Sequence, residues 1–316
     1  MMPATFCSFT LIEPLGRGGM STVYRACAQS TGQLVALKVL NQDMLDNPIA
    51  RQRFDQEPTL QLLHPNIVHV LSAGICEGLP YFTMELIEGT SLDKMLQEQK
   101  RLTPRQLYPI VNEIAAALDA AHRRNIVHRD IKPSNILIGN SAGQSQPAHA
   151  FLSDFGVARA GDAARITSMD SIPVGTSSYM SPEQARSDQT ITPAADIYSL
   201  GVLVYHALAG RLPFRADNDL AMTHKHVSEQ PPDLARVAPE IHRNVAKVVM
   251  RALRKAPSER WPSAGEFARM FTAAVLQSQS RTTHTPARLS WPTLIMIAAG
   301  LVVLASVIIV MMVLMK

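Results

Sequence analysis

The spacing of apolar residues changes once along this chain, near Thr90, and the change restricts the folds that are open to it. Before Thr90, short β-branched and apolar runs between turn residues predict strands at 8–15, 21–28, 34–40 and 79–86. After Thr90, apolar residues recur every three or four positions, which predicts helices at 91–99, 104–124, 195–210, 243–255 and 263–277. The sequence therefore predicts an α+β fold with a small strand-rich lobe, a larger helical lobe and a ligand cleft between them.

The composition is that of a folded protein. Of the 316 residues, 47% are hydrophobic and 18% are charged, which excludes a disordered or collagen-like chain. The net charge of +4 and the absence of a basic run argue against nucleic acid as a partner. The three cysteines are odd in number and lack CxxC spacing. We therefore expect neither a disulfide framework nor a zinc site, and a reducing compartment for most of the chain.

The C-terminal segment has the composition of a membrane span. The 22 residues of 294–315 are all apolar except Gly300 and Ser306. A helix of that length spans about 33 Å, close to the hydrocarbon core of a bilayer. A buried core helix is the alternative, but core helices rarely run this long without a polar face. We therefore expect a single membrane-spanning helix at 293–315.

Residues 276–292 are polar and contain two prolines, which predicts a flexible juxtamembrane linker. Arg281 and Arg288 precede the span, which places the N-terminal part on the cytoplasmic side, and only Lys316 follows it. The first ten residues lack the basic region of a signal peptide. The expected location is the inner or plasma membrane, with a cytoplasmic domain and a single span.

A glycine-rich segment and a lysine lie on neighbouring predicted strands. Glycines let backbone N–H groups approach phosphates, although a plain hairpin turn explains the segment equally well. No helix follows it, so a Rossmann fingerprint is disfavoured. Lys38 lies in a buried strand and needs an anionic partner, such as phosphates beneath the hairpin, unless it reaches water at a strand edge. The segment comprises Gly16, Arg17, Gly18, Gly19, Met20, Ser21, Thr22 and Val23.

Two further motifs supply the groups that phosphoryl transfer needs. The run 128–135, HRDIKPSN, lies between a predicted helix and a strand. Asp130 can orient a hydroxyl and accept its proton, and Lys132 can neutralise a transferring phosphoryl group. Asn135 and Asp154, the latter following an apolar strand, offer oxygen ligands for magnesium. A solvated polar loop is the alternative for 128–135.

The order and spacing of these motifs resemble the signature set of protein kinases, and most closely that of the bacterial Hanks-type Ser/Thr kinases. The resemblance covers about residues 9–275 and includes HRDIKPSNIL, SDFGVAR and GTSSYMSPEQ. It implies a bilobal kinase domain with a strand-rich lobe at 9–84, a hinge at 85–88 and a helical lobe at 89–275. The cofactors that it implies are ATP and Mg²⁺, with Mn²⁺ as an alternative metal.

The resemblance also assigns roles to individual residues. Asp130 is the catalytic base, Lys132 is its phosphate partner and a mark of the Ser/Thr subtype, and Lys38 contacts phosphates and pairs with Glu57. Asn135 and Asp154 bind the metal, Met84 is the gatekeeper, and Ala36 also belongs to the nucleotide-binding residues. Glu85 and Ile87 bond adenine at the hinge, and 16–23 covers the nucleotide. Structural roles fall to Asp196 and to a Glu183–Arg260 pair.

The chain departs from the family pattern after Glu57. Pro58 follows at once, and a proline is costly inside a helix. The interval to the HPNIV motif at 64–68 is also two residues shorter than in the family. Residues 47–63 are therefore expected to form a short or kinked helix that still presents Glu57 to Lys38. Ser21 replaces the third glycine of the glycine segment.

The resemblance further implies an activation segment between Gly156 and Ser181. Thr167, Ser168 and Ser171 are the predicted autophosphorylation sites. Thr176 is placed like a substrate-docking residue, and Arg129 could bind a phosphate on the segment. The expected partners are protein substrates with Ser or Thr, the lipid bilayer through 293–315, and a second copy in a transient homodimer. Two alternatives stay open: a membrane-tethered pseudokinase scaffold and a small-molecule phosphotransferase.

Overall fold

The N-terminal part of the chain forms a six-stranded antiparallel sheet. A computed structural model describes residues 5–139, 149–155, 176–282 and 311. The strand order in the sheet is β1-β2-β3-β4-β6-β5. Strands β3 and β4 have the predicted bounds, and β5 was not predicted. The strands are β1 (Thr5–Phe6), β2 (Phe9–Arg17), β3 (Ser21–Ala28), β4 (Leu34–Leu40), β5 (Val70–Cys76) and β6 (Leu79–Glu85).

The helix that follows the sheet's fourth strand is short. Helix α1 (Pro48–Gln56) begins at Asn47, whose side chain accepts hydrogen bonds from two backbone N–H groups of the first turn. It gives way to a 3₁₀ turn, Glu57–Leu60, with Pro58 in its first turn. Gln61 then adopts a left-handed conformation with φ 45°. The expectation of a short helix over 47–63 is met, because the proline ends the α-helical hydrogen bonding.

The remainder of the described chain is a helical lobe with a small sheet at its edge. Helix α3 is capped by Thr103 and Gln106 in a capping box. Helix α5 is buried almost all round, and its Gly201 lets α8 pack closely: a Cβ there would lie 2.7 Å from the Cβ of Ala252. The three-stranded sheet has the order β7-β8-β9. These elements are β7 (Gly89–Ser91), α2 (Leu92–Gln99), α3 (Pro104–His122), β8 (Ile136–Gly139), β9 (His149–Leu152), α4 (Pro182–Ala185), α5 (Ala194–Ala209), α6 (Asp219–Ser228), α7 (Leu234–Val237), α8 (Arg243–Ala252) and α9 (Ala264–Thr282).

A disulfide joins Cys7 and Cys76, which corrects the expectation that the cysteines are unpaired. Cys7 lies in the turn between β1 and β2, and Cys76 ends β5, so the two belong to strands at opposite edges of the sheet. The sheet curls until their Cα atoms are 6.0 Å apart. The number and spacing of the cysteines in the sequence could not reveal this pair, because its two members are 69 residues apart. Cys27 is a free cysteine.

The chain divides into two units, Met1–Val275 and Leu276–Lys316. Helix α9 continues to Thr282, so the first residues of the predicted linker are helical rather than irregular. The predicted span at 293–315 lies outside the described residues apart from Met311. A search of the described residues finds no helix with the length and apolar character needed to cross a membrane. The predicted phosphorylation sites also lie outside them.

Candidate active site

Lys38 is the centre of a buried cluster of charges between β4, the 3₁₀ turn and the end of β9. Its Nζ lies 2.8 Å from Glu57 Oε2 and 2.5 Å from Asp154 Oδ1. Lys38 is 4% exposed and Glu57 is 8% exposed. The ammonium also lies 5.2 Å from the ring centroid of Phe82, its cross-strand neighbour. Despite Pro58, the 3₁₀ turn at the end of the short helix α1 presents Glu57 to Lys38.

Burial and charge act in opposite directions on these three groups. Burial lowers the pKa of Lys38, but the carboxylates of Asp154 and Glu57 outweigh it and raise the pKa above its ordinary value. Burial raises the pKa of Glu57 to about 7, against the opposing effect of Lys38. Burial also opposes ionisation of Asp154, but Lys38 overcomes it and the pKa of Asp154 is lowered. Lys38 and Asp154 are therefore charged at neutral pH, and Glu57 titrates near it.

The loop that follows α3 brings two polar side chains, Lys132 and Asn135, against Asp130. Lys132 Nζ donates to Asp130 Oδ2 at 2.8 Å. The amide nitrogen of Asn135 donates to the Asp130 carbonyl at 2.8 Å and to Asp130 Oδ2 at 3.0 Å. Since the amide nitrogen faces Asp130, the amide oxygen of Asn135 is left for other partners, and the Ser134 hydroxyl approaches it at 3.4 Å. The Asp130 carboxylate thus positions both the ammonium group of Lys132 and the side-chain amide of Asn135.

Asp154 is held next to this loop by its neighbour in the chain. The Ser153 N–H and hydroxyl donate to the Asn135 carbonyl at 2.9 and 3.2 Å. The ring of His128 donates to the Ser153 carbonyl at 3.1 Å and packs 4.5 Å from the ring centroid of Phe155. Asp154 itself has a left-handed backbone with φ 55°, a strained conformation that such contacts hold in place. The segments that carry Asn135 and Asp154, the two predicted metal ligands, are therefore joined by hydrogen bonds.

A fully buried carboxylate holds the backbone before Asp130. Asp196 of α5 accepts hydrogen bonds from the N–H groups of His128 and Arg129 at 2.9 and 2.8 Å. The His122 ring contacts the same carboxylate at 2.7 Å. Burial opposes ionisation of Asp196, but the hydrogen bond and charge of His122 lower its pKa. These bonds hold Arg129 at φ 67° and so fix the direction in which the loop leaves α3.

The glycine-rich hairpin is held at its base and open above. The side chain of Asn41 donates to the carbonyls of Gly18 and Gly19 at 3.2 and 3.3 Å, and it accepts from the Thr22 hydroxyl at 2.8 Å. A Cβ at Gly16 or Gly19 would have no atom within 4 Å, so the hairpin is open at these two positions. The predicted residues Arg17, Met20, Ser21 and Val23 belong to the same β2–β3 hairpin. The sequence did not single out Asn41.

An apolar cluster lies between the hairpin and the segment after β6. Ala36 and Met84 face each other on β4 and β6 and are buried. Val23, Ile87 and Leu137 are partly buried and pack against this cluster. Glu85 ends β6, and its N–H donates to the His69 carbonyl at 2.9 Å. Leu137, which the sequence analysis did not single out, belongs to this cluster and lies two residues after Asn135.

The helical lobe contains a second buried ion pair, Glu183 with Arg260. The guanidinium contacts both carboxylate oxygens at 2.7 and 2.8 Å, and it also donates to the carbonyls of Ala194, Arg254 and Lys255. Arg260 is 2% exposed. Every N–H direction of the guanidinium is thus used, which is what a buried charge requires. The resemblance predicted this pair from the sequence.

The donor set of the cleft fits a hard divalent cation bound together with phosphates. The described residues contain no group of three or more His, Cys, Asp or Glu that could hold a metal ion without other ligands. A carboxylate from Asp154 and an amide oxygen from Asn135 leave most positions of an octahedral ion to phosphate and water. That arrangement is typical of magnesium at nucleotide sites.

Comparison with known proteins shows the family. The model of the protein kinase domain matches residues 9–271, and the chain therefore belongs to the protein kinase domain family. Serine/threonine-protein kinase PknH of Mycobacterium tuberculosis is 36% identical over 265 residues, covering 83% of this chain and 41% of the relative. PknD of the same organism is 35% identical over 283 residues, covering 89% and 41%. The probable kinase PknB of Lactococcus lactis is 33% identical over 261 residues, covering 82% and 40%.

A crystal structure of a mutant PknI kinase domain from Mycobacterium tuberculosis resembles this fold. The TM-score is 0.67 at 28% sequence identity, with 87% of this chain and 99% of that chain covered. The expected bilobal kinase fold, with a strand-rich lobe and a helical lobe, is confirmed. The chain spans about two fifths of the length of the curated relatives that it matches.

Proposed function

We propose that this chain is a Ser/Thr protein kinase that uses ATP and Mg²⁺ to phosphorylate protein hydroxyls. The observation that carries the proposal is the placement of Lys38 between Glu57 and Asp154. Ser153, the neighbour of Asp154, bonds to the Asn135 carbonyl, and Asp130 bonds to both Asn135 and Lys132. A pseudokinase scaffold has no need of this complete set. The break at Pro58 does not separate Lys38 from Glu57.

The residues of the site divide the reaction among themselves. Lys38 binds the α- and β-phosphates, and Glu57 holds it in place. Asn135 and Asp154 hold Mg²⁺, which screens the charge of the phosphates when it is bound. Asp130 orients the acceptor hydroxyl and accepts its proton, while Lys132 neutralises the transferring phosphoryl group. Lys132 also marks the acceptor as Ser or Thr rather than Tyr.

The test is phosphoryl transfer by the full chain in detergent. Wild-type chain, Asp130→Asn and Lys38→Met are incubated with labelled ATP, Mg²⁺ and a pool of degenerate Ser/Thr peptides. We expect label on peptide with the wild type and a loss of at least about a hundredfold in both variants, since each removes a charged group from the reacting centre. Label on a small molecule, or none with correctly folded wild type, would reject the proposal.

We also propose that the kinase is anchored in the inner or plasma membrane through 293–315, with its kinase domain in the cytoplasm. The support is the uncharged apolar run and its flanking arginines. Membranes from cells that make the full chain are washed with alkaline carbonate and compared with a Gly300→Arg, Ser306→Arg double variant. Wild type should stay with the membrane and the double variant should be released, because each central charge costs about 3 kcal/mol of insertion. Release of both would exclude the anchor.

Autophosphorylation completes the proposal. Thr167, Ser168 and Ser171 supply the hydroxyls, and tethering to one membrane raises the local concentration for transfer between two transiently paired copies. Peptide mapping after incubation with ATP should find phosphate on at least one of the three. Fully active protein without phosphate at any of them would contradict this.

A further inference from the structure

The short 3₁₀ turn Thr176–Tyr179 is held by side chains of two helices. The Ser177 hydroxyl donates to Asp219 Oδ1 at 2.5 Å, and the Tyr179 hydroxyl contacts His206 Nδ1 at 2.8 Å. Between them, His226 Nε2 lies 3.1 Å from the Ser178 carbonyl oxygen. The turn precedes the capped start of α4 at Ser181. It begins at Thr176, the residue that the family resemblance places like a substrate-docking residue. The hydrogen bond from His226 therefore fixes the backbone of the turn at Ser178.

The orientation of the His226 hydrogen bonds follows from the chemistry of its partners. A carbonyl oxygen only accepts, so Nε2 carries the proton and donates to Ser178. Nδ1 is then an acceptor, and the Tyr198 hydroxyl donates to it at 3.0 Å. Lys255 Nζ lies 3.5 Å from the Tyr198 hydroxyl oxygen and 2.7 Å from the His226 carbonyl. Each group in this series therefore donates to the next: Lys255 to Tyr198, Tyr198 to His226, and His226 to the Ser178 carbonyl of the turn.

This chain of hydrogen bonds is enclosed. His226 and Tyr198 are both 0% exposed, and the ring of Phe214 packs 5.0 Å from that of His226. Burial and the charge of Lys255 lower the pKa of His226 to about 4, so the ring is neutral under ordinary conditions. A neutral imidazole with one defined tautomer is a fixed connector rather than a titrating group. Nothing in the phosphoryl-transfer site uses it.

We propose that His226 is a positioning residue for protein substrates: through its bond to the Ser178 carbonyl it sets the shape of the turn on which the acceptor peptide docks. The inference rests on the proposed kinase function and deepens it. His226 does not contact the groups around Lys38 and Asp130, so its loss should weaken peptide docking without weakening nucleotide binding. A merely structural residue would affect both or neither.

The test compares His226→Leu with His226→Gln in the full chain. Glutamine can place an amide N–H near the position of Nε2, whereas leucine cannot donate. His226→Leu should raise KM for the degenerate Ser/Thr peptide pool by about fivefold or more, the effect of losing one net hydrogen bond, with KM for ATP within about twofold of wild type. His226→Gln should restore most of the difference. His224→Leu, an exposed histidine of the same helix, is the matched control and should leave both constants unchanged.

Thermal unfolding of each variant separates docking from folding. If His226→Leu does not fold, Tyr198→Phe replaces it, because that change removes only the hydroxyl that donates to Nδ1; KM for the peptide pool should again rise alone. An unchanged peptide KM in the folded variants, or a parallel rise of both KM values, would overturn the inference while leaving the kinase function intact. A wild-type chain that phosphorylates no peptide would instead reject the proposed function itself.

Discussion

Lys38 is shared by two carboxylates that differ in their freedom to ionise. Asp154 is held ionised by Lys38, whereas Glu57 sits deeper and keeps a pKa near 7 because burial opposes its charge. Both bind the same ammonium, at 2.5 and 2.8 Å. The balance between the two pairs therefore depends on pH, and Glu57 is the member whose charge changes near neutrality.

Activity should accordingly rise with pH through the titration of Glu57. Below about pH 7 the carboxyl is neutral and its pair with Lys38 is weakened; above it the ionised carboxylate holds Lys38 in place. We expect kcat/KM to increase between about pH 6 and 8 with an apparent pKa near 7. Glu57→Gln keeps the shape and a hydrogen-bond acceptor but removes the charge. It should lower activity roughly tenfold or more at pH 8 and abolish the rise.

The control for this pH profile is Glu77→Gln, a substitution in the β5–β6 turn that leaves the charges around Lys38 in place. It should keep the wild-type pH profile. A Glu57→Gln variant with wild-type activity and an unchanged profile would show that Glu57 is not the partner on which Lys38 depends.

The truncated connection after α1 is tied to the helical lobe by an arginine. Gln61 ends the 3₁₀ turn in a left-handed conformation, and Arg124 Nη1, beyond the end of α3, donates to its carbonyl at 2.8 Å. Carbonyls at the end of a helical segment lack internal partners, and a cationic side chain satisfies them. A cavity of about 70 Å³ borders the turn and reaches Met84 and Asp154. Because the cavity leaves one side of the turn unpacked, the position of the turn depends on the hydrogen bond from Arg124 to Gln61.

Loss of this tie should loosen Glu57 from Lys38. Arg124→Ala should reduce kcat/KM for ATP by about threefold to tenfold, the range for one hydrogen bond from an exposed charged donor. Arg124→Lys should restore part of the loss. The neighbouring Arg123→Ala is the matched control, since Arg123 is also exposed and follows the same helix. Equal effects of the two alanine variants would show that the contact to Gln61 is not responsible.

Elements of this fold differ in how far the sequence predicts them. Strands β3 and β4 were placed to the residue because their apolar runs end at clear turns, and the end of α1 was anticipated from Pro58. Strand β5 was missed because it is a sheet edge whose apolar residues, such as Leu71 and Ile75, stay exposed. The catalytic motif was evident because its groups lie within eight residues. The hydrogen bonds that Arg124 and His226 make to backbone carbonyls were not evident, because 63 and 48 residues separate these side chains from their partners.

The sheet is joined across its two edges by covalent and aromatic contacts. Phe6 and Phe9 flank Cys7 and place their rings 5.7 and 5.6 Å from that of Tyr81 on β6. The Cys7–Cys76 bond closes a loop with a sequence separation of 69 residues. Cys7 is exposed to solvent, so a reductant can reach the bond, while Cys76 is buried. The strand-rich lobe is therefore expected to lose stability when the bond is reduced.

Cys7→Ser should lower the free energy of unfolding by about 2–4 kcal/mol, because the open chain gains conformational freedom when unfolded. In a chain of this size that corresponds to a fall in Tm of roughly 3–7 °C, measured on the full chain in detergent. Dithiothreitol should lower the Tm of the wild type to the value of the variant and leave the variant unchanged. Cys27→Ser is the matched control: it should keep the wild-type Tm and its sensitivity to the reductant. A wild-type Tm that does not respond to dithiothreitol would show that Cys7 and Cys76 are not bonded in the isolated protein.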